Sequence, residues 1–148
     1  MEFGTIEREI YVDAVPEIVF EVVSDPEHVK QWWPDDARYE PVAGATGEIS
    51  FGDTVESFTV VEARPPRIFR FRWTHPAGEA AAEGNSLLVT IELTAKGDGT
   101  LLRMTETGFR EMGWEVAVLE EQYNSHVSGW DFFLPRIAPH VASIRVRP

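Results

Sequence analysis

Leu102, Met104 and Glu106 stand at alternate positions of one extended segment, so a carboxylate shares a face with two apolar side chains. If that face looks inward, burial disfavours the charged form unless a cation or a hydrogen-bond donor supports it. A carboxyl group placed in this way orients a ligand or serves as general acid or base. Paired with an arginine across the strands, or standing at a wet strand end, it does neither. His126 is the second acid–base candidate; it falls on the flank of a helical apolar stripe, where solvent or a hydrogen bond to the sheet accounts for it equally well. Ser125 precedes it, but adjacent helical residues diverge by about 100 degrees, so the two are not a ready nucleophile and base. No Gly-x-Ser-x-Gly elbow occurs. His28, His75, His126 and His140 are isolated and cysteine is absent, which predicts no metal site. Neither a Walker loop nor Gly-x-Gly-x-x-Gly is present, and no cofactor is expected.

The aromatic residues supply the other chemistry. Phe69, Phe71 and Trp73 alternate on one segment, Tyr123 and Trp130 lie on the helical stripe, and Trp32-Trp33 precede Pro34. Packed against each other they are core; lining a pocket, they offer a flat apolar wall, with Trp73 and Tyr123 presenting polar edges. The candidate ligand-binding set is therefore Trp32, Trp33, Phe71, Trp73, Met104, Glu106, Tyr123 and Trp130, with the tryptophan pair as a wall or lid. Arg70 and Arg72 alternate with the aromatic face and read as outward, as does Glu92.

The elements that position these groups follow from periodicity. Thr5 to Val12 is rich in β-branched residues and reads as a strand. Pro16 suits the first position of a helix, and Val15, Ile18, Val19, Val22 and Val23 form its apolar stripe. Asp25, Pro26 and Glu27 cap and open a second short helix, which Pro34 ends by excluding Trp33 from helical geometry. Strands follow over Gly47 to Phe51, Thr54 to Ala63, Ile68 to Thr74, Leu87 to Leu93 and Thr100 to Phe109, with Lys96-Gly97-Asp98-Gly99 as a hairpin turn. Leu119, Tyr123, Val127, Trp130, Leu134, Ile137 and Val141 then recur at helical spacing, in one long helix that Pro135 and Pro139 must kink or break.

Charge and composition narrow the function. The 148 residues carry a formal charge of −12, the wrong sign for general binding to nucleic acid or to anionic membrane surfaces. No apolar run approaches the roughly 20 residues of a membrane span, and Met1-Glu2-Phe3-Gly4 does not open like a signal peptide. A cytoplasmic protein with no nucleic-acid partner and no membrane insertion is the expectation; a homodimer is compatible with it. Residues 1–148 read as one α+β domain: a curved antiparallel sheet of about six strands wrapped around a long C-terminal helix, two short helices between the first two strands, and a cavity where helix and twisted sheet part.

Val15-Pro16-Glu17 with Val19-Phe20, then Ser24-Asp25-Pro26-Glu27 leading to Trp32-Trp33, resembles the opening of the START-like (SRPBCC, helix-grip) superfamily, which includes polyketide cyclases and lipid-transfer proteins. Ala63-Arg64-Pro65-Pro66-Arg67 before Phe71-Arg72-Trp73, Gly99-Thr100, and Gly129-Trp130 resemble bacterial relatives of the C-terminal domain of the heat-shock-protein-90 ATPase activator. The resemblance implies a helix-grip fold with a hydrophobic cavity for a lipid-like, aromatic or polyketide-like molecule. It also admits an enzyme of the cyclase or dehydratase type in the same cavity, and a chaperone-regulating interaction module. Fold alone does not separate these.

Overall fold

The structure is a computed structural model that describes residues 3–145, so Met1 and Glu2 lie outside the described residues. Strand β1 (Thr5–Val12) leads into helices α1 (Pro16–Ser24) and α2 (Pro26–Trp32). There follow β2 (Asp36–Arg38), β3 (Thr46–Phe51), β4 (Thr54–Arg64), β5 (Ile68–Trp73), β6 (Leu87–Lys96) and β7 (Gly99–Thr107), then α3 (Val116–Phe133) and α4 (Ile137–Arg145). The strands form one antiparallel sheet in the order β1-β7-β6-β5-β4-β3-β2.

The sheet thus has seven strands where the sequence suggests about six. The strand without a sequence signal is β2, whose three residues are too few for alternation to register. It pairs with β3 through Asp36↔Ser50, Ala37↔Ile49 and Arg38↔Glu48. Gly47 makes that approach possible, because a Cβ there would run into the Arg38 carbonyl. Gly99 serves the other edge in the same way, since a Cβ would meet the Tyr11 ring and the Val12 carbonyl. Beside it the Thr100 hydroxyl donates to the Ala14 carbonyl at 2.7 Å, fixing the exit of β1 toward α1.

The short helices form as their sequence directs. Asp25 accepts from the Glu27 amide at 2.9 Å and caps α2, and Pro26 takes its first turn. Trp33 leaves the helix at φ −120° and ψ −92°, outside α geometry, which Pro34 disfavours for the residue before it, though not in the extended region usual there. Trp32 donates its indole N–H to the Val22 carbonyl at 2.9 Å, and the Tyr39 hydroxyl donates to the Ser24 carbonyl at 2.8 Å. These bonds clamp the two helices to one another and to the chain leaving β2.

Helix α3 ends at Phe133, passes through a 3-10 turn over Leu134–Arg136, and resumes as α4. Pro135 breaks the helix as expected. Pro139 does not, because it falls in the first turn of α4, where its missing amide hydrogen has no intrahelical partner to lose. Arg8 on β1 grips Asp131 of α3 through two N–H···O bonds of 2.7 and 3.3 Å, and the Tyr123 hydroxyl donates to the Thr5 carbonyl at 2.8 Å. The helix is therefore tied to the β1 edge of the sheet.

Candidate functional site

The inward faces of three strands converge under α3. On β5 they are Phe69, Phe71 and Trp73, on β6 Leu87, Val89, Ile91 and Leu93, and on β7 Leu102, Met104 and Glu106, all buried. Register places Glu106 opposite Val89, and Val89 opposite Phe71. Glu106 is consequently on the apolar side of the sheet, with 0% of its surface exposed.

Three N–H groups compensate for that burial. Trp73 Nε1 donates to Oε2 of Glu106 at 2.8 Å across the intervening strand β6, and Trp130 Nε1 donates to Oε1 at 2.8 Å from α3. His126 Nδ1 lies 2.9 Å from the same Oε1. Indole nitrogens only donate, so both carboxyl oxygens must accept, and as a carboxylate the group makes three charge-assisted bonds. His126 then carries its proton on Nδ1 and turns its other nitrogen away from Glu106. Its side chain is 14% exposed, at the floor of an opening.

That opening consists of two adjoining clefts that share Phe51, Trp73, Ser125 and His126. The larger, about 430 Å³, is closed by Thr54, Glu56, Thr74, Leu87, Met112, Trp114 and Gln122. The smaller, about 170 Å³, runs along Trp33, Gly129, Trp130 and Phe133. On α3 the lining positions Gln122, Ser125, His126, Gly129, Trp130 and Phe133 recur every three or four residues, one face of the helix. Both clefts open to solvent. The deeper space between helix and sheet is filled by Trp33, which is only 6% exposed and meets Trp130, Trp73, Phe71, Phe51 and Trp32 at ring-centroid distances of 5.0, 5.1, 5.6, 5.9 and 6.0 Å.

The residues picked out from the sequence separate accordingly. Trp33, Trp73 and Trp130 line the clefts, with Glu106 directly behind the two indoles it holds. Trp32, Phe71 and Met104 are enclosed in the core and line neither cleft. Tyr123 faces the β1 edge, its hydroxyl occupied by Thr5 and its ring set edge-on to Phe3 and Phe109. The polar edge of Trp73 is likewise spent on Glu106. Glu56, Trp114 and Thr74 were not legible as site residues. For Glu56 the signal was there, since Thr54, Glu56, Phe58 and Val60 alternate along β4 and the last two are buried. For Thr74 there was none: it sits at φ +70°, in the left-handed region that a β-branched residue rarely occupies, and its buried hydroxyl oxygen has no hydrogen-bond partner.

Glu56 is half-buried on the cleft wall, and burial pushes its carboxyl above the usual carboxylate range, an effect the His126 imidazole opposes. Next to Thr74, His75 shares a 3.1 Å hydrogen bond through Nε2 with the Thr59 hydroxyl while its Nδ1 is unpartnered, and burial holds its imidazole below the ordinary histidine value. Among the described residues no group of three or more His, Cys, Asp or Glu stands together to hold a metal, and no helix is long and apolar enough to cross a membrane.

The family model described as Activator of Hsp90 ATPase homolog 1-like protein matches residues 13–142 of the chain. The chain belongs to that family. The AHSA1-like fold is shared with protein MLL2253 from Mesorhizobium loti, at 21% identity over 97% of this chain and 99% of that one, with a TM-score of 0.79. The Aha1 dimer from Colwellia psychrerythraea matches at 20% identity over 93% of this chain and 95% of that one, with a TM-score of 0.70. CalU16 from Micromonospora echinospora matches at 20% identity over 97% and 84% of the two chains, with a TM-score of 0.61. No curated protein matches the sequence. At such identities the solved structures establish the fold and leave the chemistry to the residues of this chain.

Proposed function

We propose that the protein binds a small aromatic molecule in the cleft between α3 and the β3–β5 end of the sheet. One observation carries this reading: Phe51, Trp73 and Trp114 line a solvent-open space of about 430 Å³, and a hydrogen-bonded imidazole lies at its floor. That volume falls in the range of small-molecule sites, and the walls combine apolar side chains, Phe51, Trp73, Leu87, Met112 and Trp114, with about as many polar ones. The buried bonds from Trp73 and His126 to Glu106 hold ring and imidazole in fixed positions, so a ligand loses little affinity to ordering the site. The homodimer expectation gains support from the Colwellia protein, described as a dimer, and sedimentation velocity tests it.

Tryptophol, an aromatic alcohol, is a suitable probe. Isothermal calorimetry should give saturable binding at one site, and Ser125→Trp should weaken it at least tenfold, because that exposed position borders both clefts and a bulky ring would occupy them. An equal affinity in Ser125→Trp, or no saturable binding in the parent protein, would contradict the reading.

The bond between His126 and Glu106 favours a second reading, acid–base catalysis in the same cleft, with the imidazole as the proton-transferring group and the carboxylate as its positioning partner. A bound aromatic compound recovered chemically altered, and recovered intact with His126→Gln at unchanged affinity, would establish that reading.

A further inference from the structure

The charges around the cleft define what it accepts. Glu56 faces the opening from β4, yet among the described residues no hydrogen bond or ion pair reaches its side chain. Neither cleft is lined by a lysine or an arginine among those residues. The one lining group able to carry positive charge is His126, and its Nδ1 is already directed at the buried Glu106. Phe51, Trp73 and Trp114 line the same space, which suits the ring of an aromatic ligand. A half-buried carboxylate that forms no hydrogen bond or ion pair among the described residues, with only the His126 imidazole acting on it from a distance, is complementary to an organic cation and repels a carboxylate or phosphate. The formal charge of −12 on the chain acts in the same direction over longer distances.

We infer that the cleft selects aromatic amines, with the ammonium group on Glu56 and the ring between Phe51, Trp73 and Trp114. This rests on the proposal that the cleft binds aromatic molecules and assigns the charge of what it takes. Fatty acids, aromatic acids and phosphorylated compounds are disfavoured by the same arrangement.

Three indoles that differ chiefly in the terminal group test it: tryptamine, which is cationic, tryptophol, which is neutral, and indoleacetate, which is anionic. Calorimetry at low salt should rank tryptamine roughly tenfold tighter than tryptophol, from one half-buried ion pair, and indoleacetate weakest. Glu56→Gln should bring tryptamine to the affinity that tryptophol shows for the same variant. In the parent protein, added salt should narrow the gap in the same direction. Equal binding of tryptamine and tryptophol, or a preference for tryptamine that survives both Glu56→Gln and Glu56→Ala, would overturn the charge assignment while cleft binding stands. Failure of all three to bind would overturn both.

Discussion

His126 Nδ1 lies 2.9 Å from Oε1 of Glu106, joining the middle of α3 to the inner face of β7 through a carboxylate that has no contact with solvent. With the two indole N–H bonds from Trp73 and Trp130, the contact makes the helix, β5 and β7 one polar assembly inside an apolar core. A fully satisfied buried network of this kind specifies a unique arrangement, and each of its members becomes costly to remove.

Glu106→Gln tests that cost. The amide keeps the shape but places an N–H₂ group against donors, so at least one indole or imidazole N–H is left without an acceptor. Chemical denaturation should show a loss of about 1–3 kcal/mol, and Glu106→Leu, which strands all three donors, should lose more. A change within about 0.5 kcal/mol for both variants would show that the network contributes nothing to stability.

Trp33 should prove the most sensitive packing position. It fills the space beneath the smaller cleft and touches five other aromatic rings, so Trp33→Ala removes a large side chain that its neighbours cannot replace. The expected destabilisation is about 3–5 kcal/mol, against well under 1 kcal/mol for a substitution at exposed Val116. Equal effects at the two positions would mean that the space beneath the helix collapses freely.

His75 sets part of the acid limit. Burial lowers the folded imidazole from its ordinary value of 6.5, so as pH falls below that value the unfolded chain takes up a proton that the folded chain resists. Between the two values the unfolded state holds more protons, and stability decreases with decreasing pH. His75→Gln, which keeps a partner for Thr59, should flatten the decline of melting temperature from about pH 7 to about pH 5 relative to the parent. A decline of the same steepness in both would assign the acid sensitivity to other groups.

Much of the frame was legible before the structure. Alternation located five of the strands and the segment entering α1, because each has one wet and one buried face long enough to show a period of two. Asp25, Pro26 and Pro34 punctuated the helices because capping and proline sterics act within a few residues. Strand β2 was hidden because three residues carry no period, and Pro139 was misjudged because the break at Pro135 makes it a first-turn residue. For the site, Glu106 was found by its apolar neighbours on β7. Its partnership with Trp73, Trp130 and His126 was not legible, since it joins positions 20 to 33 residues apart through side-chain reach. Glu56 shared an alternating face with Phe58 and Val60, but nothing local marks the point where an inward face meets the mouth of a cleft.

The central claim is that the opening above His126 is where a small aromatic molecule sits, and the indole N–H resonances of the five tryptophans test it most directly. Titration of the ¹⁵N-labelled protein with tryptophol should move the signals of Trp73 and Trp114, which border the larger cleft, and leave that of Trp32, hydrogen-bonded to Val22 within the core, in place. Signals of Trp73 and Trp114 that stay fixed at saturating probe, or a Trp32 signal that moves as far as theirs, would contradict the account.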